Sequence, residues 1–211
     1  MKILAIDTST ARMVVAFVDG DTEREMSIGE LAGSQTHGEH LAELVREVLQ
    51  GELPDLIAVG IGPGPYTGLR VGIVTAEVLA RSWGVPVVGV PTLAAIAHGY
   101  RRSGGGQCAA VLDVKRREIA WQLFSADGQA LTDPTLSHIE DLTELSKHLI
   151  VGPAFETQKL VEPQVAAVIP VSAISIALLA RDGRTSAVQP LYLRDPDAAA
   201  PKPNKSVLGN G

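Results

Sequence analysis

Only one cysteine, Cys108, occurs among the 211 residues. It cannot close an internal disulfide, a usage that suits a reducing compartment. Long hydrophobic runs are missing as well. The longest, Val165 to Ala180, is interrupted by Pro170 and two serines and is too short to span a bilayer. At the amino terminus Asp7 interrupts the apolar residues 3–6, so the h-region of a signal peptide is not present there. Excess positive charge is lacking too. The net charge is −6 and the isoelectric point about 5.4, a balance that repels a phosphate backbone, so any contact with nucleic acid is expected to be indirect. The cytoplasm is the expected location, with no membrane association.

What is present is the composition of a globular chain, 45% apolar and 20% charged, long enough for one domain or two small lobes. Residues 2–7 and 13–18 are apolar runs of strand length around the polar turn Thr8-Ser9-Thr10-Ala11-Arg12 and predict a buried hairpin. A third strand is expected near residues 23–29. Thr36 and Glu39 match a capping box and Gly51 a carboxyl-terminal cap. Between them Leu41, Leu44, Val45, Val48 and Leu49 set one apolar helical face. Leu56 to Gly60 reads as a strand, and Gly62-Pro63-Gly64-Pro65-Tyr66 leads into a second helix with Thr67 as its expected N-cap and Gly84 as its stop.

That second helix is apolar or small at almost every position from Val71 to Ala80, Glu77 being its lone charge, so it has to be covered on more than one side. Gly68, Gly72, Ala76 and Ala80 form a low strip at every fourth residue. Further on, Val85 to Val90 predicts a strand, residues 92–100 a helix, Cys108 to Asp113 with Glu118 to Phe124 a hairpin, Leu149 to Gly152 a short strand and Ser172 to Arg181 a helix. Arg101 to Gly106 is the clearest linker. We therefore expect an amino-terminal lobe over 1–102, a smaller lobe over 103–195 and an extended tail over 196–211.

Residues able to do chemistry are sparse. The loop from Gly60 to Gly68 joins a strand to a helix amino terminus, but it has no Lys-Ser/Thr pair and lacks dinucleotide-type glycine spacing. Pro63 and Pro65 also remove two amide donors, so a rigid helix-positioning turn is the better reading than a phosphate loop. Asp7, Thr8 and Ser9 are the better nucleotide candidates, in the kind of hairpin with which actin-like ATPases approach phosphate and metal. Four polar residues in a turn are equally common without a ligand. His37 and His40 lack a third metal ligand, Cys108 reads as a core thiol, and Lys115-Arg116-Arg117 as a solvated turn.

Three segments carry a resemblance: Ile3 to Ser9, the long Gly60-Ile61-Gly62-Pro63-Gly64-Pro65-Tyr66-Thr67-Gly68-Leu69-Arg70-Val71-Gly72 motif, and Val87 to Leu93. Together they closely resemble the TsaB family, also called YeaZ or glycoprotease-like. Asp113 to Trp121 and Tyr192 to Pro196 look like family segments too, with Lys115 and Arg117 standing where Arg and Gly are usual. The resemblance implies an α/β, actin-like two-lobe fold of the acetate-kinase, heat-shock-protein and actin type, with a reduced second lobe. It also implies a complex with TsaD and the ATPase TsaE that attaches a threonylcarbamoyl group to the adenosine beside the anticodon of tRNAs reading codons that begin with A.

Within that complex the family's role is that of the paralogue without the active site. TsaD has an Asn-His-x-x-x-His metal motif after the corresponding Gly-Val strand end; here Thr92 and Ile96 occupy the histidine places. The expectation is no cofactor on this chain alone, with ATP and a metal ion in the partner subunits and tRNA reached only through the complex. The first and second helices are the expected docking surface for TsaD, or for a second copy, around Leu41, Leu44, Val48, Leu69, Gly72, Ile73, Ala76 and Ala80. The competing reading is an independent actin-like ATPase or peptidase.

Overall fold

The computed structural model describes residues 1–32, 37–141, 145–153 and 165–194. The expected capping box and the tail over 196–211 lie outside them. The first sheet holds β1 (Lys2–Asp7), β2 (Arg12–Asp19), β3 (Arg24–Ala32), β4 (Leu56–Gly60) and β5 (Val87–Val90) in the order β3-β2-β1-β4-β5. β1 to β3 form an antiparallel meander, while β4 and β5 add in parallel through helical crossovers. The second sheet repeats that plan with β6 (Cys108–Asp113), β7 (Glu118–Phe124), β8 (Thr135–His138), β9 (Ile150–Gly152) and β10 (Val165–Val168), in the order β10-β9-β6-β7-β8. One five-stranded pattern, two antiparallel pairings and two parallel additions, is thus used twice.

β1 is apolar at successive positions because both faces of its sheet are covered. Leu4 and Ile6 point to helices α1 (His37–Leu49) and α2 (Tyr66–Trp83), where Leu41, Val45, Ile73 and Ala76 meet them. Ile3 and Ala5 face the opposite way, into a core built with α3 (Thr92–Arg102), α4 (Ala173–Arg181) and the inner side of β6. Ala110 and Leu112 from the second sheet share that core with Val14 and Ala16 from the first, so apolar packing is continuous between the sheets.

The chain passes from the first sheet to the second between α3 and β6, through the Arg-Arg-Ser-Gly linker region. It then comes back. α4 packs on β1, β2 and α3, and Ser186 exchanges backbone hydrogen bonds with Gly89 at the edge of β5. The expected second lobe, 103–195, therefore contributes a helix and an edge bridge to the first sheet.

Local signals explain the element ends. Gly51 and Gly84 stand past α1 and α2 with φ of 87° and 67°, left-handed conformations that glycine adopts without a Cβ clash, and Gly84 N–H closes on the Ala80 carbonyl. Ser172 caps α4 by accepting from Ser175 N–H at 3.3 Å. The α2 start differs from expectation: the helix begins at Tyr66, Pro65 is the N-cap, and no side chain caps it. Thr67 lies inside the first turn because Pro65, with φ fixed near −59°, already sets the helical entry.

Candidate functional site

Asp7, Thr8 and Ser9 end β1 where α2 and α3 approach it, and all three are buried. The Asp7 Oδ1 atom accepts from Ser9 N–H at 2.7 Å and from Ser9 Oγ at 2.6 Å; Oδ2 accepts from Thr92 Oγ1 at 2.8 Å. Thr92 Oγ1 in turn receives Gly62 N–H at 3.2 Å. Thr8 Oγ1 donates to the Gly68 carbonyl, 2.7 Å away in the first turn of α2. Burial raises the Asp7 pKa, and the hydrogen bonds from Ser9 and Thr92 oppose that rise.

The glycines of the long motif are the sockets for this turn. A Cβ on Gly60 would sit 1.9 Å from Asp7 Oδ2, one on Gly72 would sit 2.3 Å from Thr8 Oγ1, and one on Gly64 would sit 2.4 Å from the Ser9 carbonyl oxygen. Each polar residue of the turn occupies the space left by one missing side chain. The Gly60 to Gly68 loop is accordingly a positioning element, joining β4 to α2 while pressed against the end of β1. The side-chain polar atoms of Asp7, Thr8 and Ser9, the nucleotide candidates, are buried and engaged with one another or with α2 and α3.

The expected docking residues also need relocating. Leu41, Val48, Leu69, Ile73, Ala76 and Ala80 are each 5% exposed or less, Gly72 is buried against Thr8, and Leu44 is half-buried. They form the monomer core under α1 and α2, so the small strip faces inward. The outer side of α2 carries Val74 and Val78, 54% and 61% exposed, with Val71 and Leu79 partly covered beside them. Val71, Val74 and Val78 recur at i, i+3 and i+7, a helical stripe readable in sequence once the small strip is assigned inward.

The other candidates separate rather than converge. His40 faces Glu43 at 3.5 Å on α1, and the His37 side chain lies outside the described residues. Cys108 is in the core, where burial pushes its thiol up to about 11. Ile96 is buried among apolar neighbours and Thr92 is committed to Asp7. Among the described residues no three His, Cys, Asp or Glu side chains are grouped to hold a metal, and no helix is long and apolar enough to cross a membrane.

One cluster escaped sequence reading. Tyr66 and Tyr192 stack with centroids 5.2 Å apart, Arg70 lies 4.0 Å above the Tyr66 ring, and Arg70 Nε donates to Tyr192 Oη at 3.2 Å. The segment that brings Tyr192 there is tied to the β4–α2 loop by Leu191 N–H donating to the Ile61 carbonyl at 2.8 Å. No local spacing announces a pair 122 residues apart along the chain.

Comparison with known proteins gives this architecture its class. Residues 30–168, well over half of the chain, match the family model described as TsaD, tRNA N6-adenosine threonylcarbamoyltransferase. The fold is the actin-like one: the YeaZ structure from Pseudomonas aeruginosa superposes with a TM-score of 0.71 at 23% identity, covering 90% of this chain and all of that one. Among sequence relatives, the Escherichia coli protein named tRNA threonylcarbamoyladenosine biosynthesis protein TsaB is 27% identical over 97% of this chain and its own full length. An uncharacterized Mycobacterium leprae protein is 32% identical over 93% of this chain, which spans 55% of that relative. The chain belongs to the TsaB (YeaZ) family, within the wider TsaD-like group.

Proposed function

We propose that this chain is the non-catalytic partner subunit that docks and supports TsaD in threonylcarbamoylation of the adenosine next to the anticodon of tRNA. The observation that carries the reading is the Val74/Val78 stripe. Two large β-branched residues stand more than half exposed on a helix whose inner side is fully packed, beside α1, in a member of the TsaB family. Apolar side chains left at the centre of an otherwise ordered helix face favour burial against another protein. Arg70, Glu77 and Arg81 flank the stripe as its polar rim.

Its role as a non-catalytic subunit is supported by the fate of the polar groups. Thr92 and Ile96 fill the places of the TsaD metal histidines, one bonded to Asp7 and the other packed in the core. The turn on which an independent ATPase or peptidase reading would rest is occupied with its own hydrogen bonds. ATP and metal chemistry fall to the partners TsaD and TsaE, and tRNA is held through the complex. A second copy competes for the same outer helix face, so homodimer and TsaD heterodimer exclude each other.

The test is co-purification of the untagged chain with TsaD, then threonylcarbamoylation of tRNA by TsaD and TsaE with and without it. Binding together with dependence of the modification on this chain supports the proposal. ATP or peptide turnover by the isolated chain, abolished in an Asp7 variant that keeps its fold, would replace it with the enzyme reading.

A further inference from the structure

We propose that the cleft between the β4–α2 loop and the β6–β7 turn is a binding site for a small organic anion, a phosphate or carboxylate carried on an aromatic or apolar body. The cavity measures about 500 Å³, which falls within the range of roughly 300–1,000 Å³ usual for small-molecule sites. Its walls come from both halves of the chain: Pro63 to Tyr66 from the first, Val114 to Arg116 and Leu136 from the second, and residues 191–194 across the opening.

Charge selects the anion. The chain carries a net −6, yet the charged side chains lining this cavity are Lys115, Arg116 and Arg194, with no carboxylate among the lining residues. Two of these cations have carboxylate partners outside the lining. Glu118 pairs with Arg194, and Asp113 lies 3.9 Å from Lys115 Nζ while also accepting the Lys115 backbone N–H at 2.7 Å. α2 adds to the field, since its first turn holds no acidic residue and its N-cap makes no side-chain bond.

The rest of the wall selects the body. Val114, Leu136, Leu191 and Leu193 supply apolar surface, and Tyr66 and Tyr192 contribute their stacked rings at one side. A bare inorganic anion would leave that surface uncovered, whereas an aryl phosphate or carboxylate uses both parts. The segment over the opening is held at each end: Leu191 bonds to Ile61, and Arg194 donates to the Lys115 carbonyl at 3.3 Å. Three successive residues of the turn, Lys115, Arg116 and Arg117, take left-handed φ of 70°, 60° and 62°, and the first two of them line the cavity. This site is separate from the Asp7 to Ser9 turn, whose polar atoms are buried and paired.

The experiment is an amide-shift NMR titration of the full chain with 1-naphthyl phosphate, 1-naphthol and inorganic phosphate. Saturable shifts at Lys115, Arg116 and Tyr192 are expected with naphthyl phosphate, at least about tenfold tighter than with either naphthol or phosphate alone. In Arg116→Glu, an exposed position at which circular dichroism should be unchanged, the affinity falls by about tenfold or more. Absence of saturable shifts, shifts elsewhere on the chain, equal binding of naphthol, or binding indifferent to Arg116→Glu would each overturn the proposal. If Arg116→Glu disturbs the fold, Lys115→Gln serves as the second variant with the same expected loss.

Discussion

Adding one methyl group at Gly72 should destabilise the protein, although the same change would help an isolated helix. Glycine inside a helix costs about 1 kcal/mol relative to alanine, so the helical part of Gly72→Ala favours folding by about that much. Against it stands the socket: the new Cβ would lie 2.3 Å from Thr8 Oγ1, a buried atom fixed by its bond to the Gly68 carbonyl. Overpacking of this kind costs about 1–3 kcal/mol, and displacing the hydroxyl forfeits about 1 kcal/mol more. The net expectation for Gly72→Ala is a loss of about 1–3 kcal/mol. Removing the obstacle should reverse the sign. In a Thr8→Ala background the nearest remaining atom is Thr8 Cβ at 3.4 Å, within ordinary contact, so Gly72→Ala should stabilise by up to about 1 kcal/mol. Urea denaturation of the wild type, both single variants and the double variant measures the coupling directly, with an expected magnitude of about 2–4 kcal/mol. Additivity within about 0.5 kcal/mol would show that Thr8 does not fill the space at Gly72 and would refute the socket account.

Other consequences can be checked on the isolated chain. Asp7→Ala strands the Ser9 N–H, the Ser9 hydroxyl and the Thr92 hydroxyl, and should cost roughly 3 kcal/mol or more in urea denaturation, while Asp7→Asn, which keeps an acceptor, costs less. His98 is buried and neutral, its pKa lowered to about 4, mainly by burial and then by Arg101. The unfolded chain binds that proton more readily, so stability should be complete above about pH 6.5 and fall by roughly 1–3 kcal/mol as pH drops towards 4; His98→Gln should flatten this part of the stability–pH curve. Arg117→Gly should raise stability by about 0.5–1 kcal/mol, because it removes a side chain held at φ 62°.

The hairpin of β6 and β7 was readable with its observed bounds, since two apolar runs flank a basic turn and no competing pattern overlaps them. β8 was not expected from sequence. Thr-Leu-Ser-His has no apolar alternation, and it is a strand because β7 supplies its partners at the sheet edge. β10 was hidden inside the apolar stretch that continues into α4, where periodicity alone does not separate two short elements. At the candidate site, the sequence placed Gly72 in a low strip of small residues but did not show what fills it. The residue that fills the strip, Thr8, bonds to a carbonyl 60 residues away, a distance no local pattern bridges. For the same reason the outer face of α2 was expected at the small strip and is found at Val74 and Val78.

The affinity of TsaD for a Val74→Glu/Val78→Glu double variant tests the central claim most directly. Both side chains are exposed, so the variant should keep its circular dichroism and urea midpoint. Buried in an interface, two unpaired carboxylates should weaken TsaD binding by about 100-fold or more and abolish support of tRNA threonylcarbamoylation in the same proportion. A folded variant that binds TsaD as tightly as the unmodified chain would contradict the account and place the partner elsewhere.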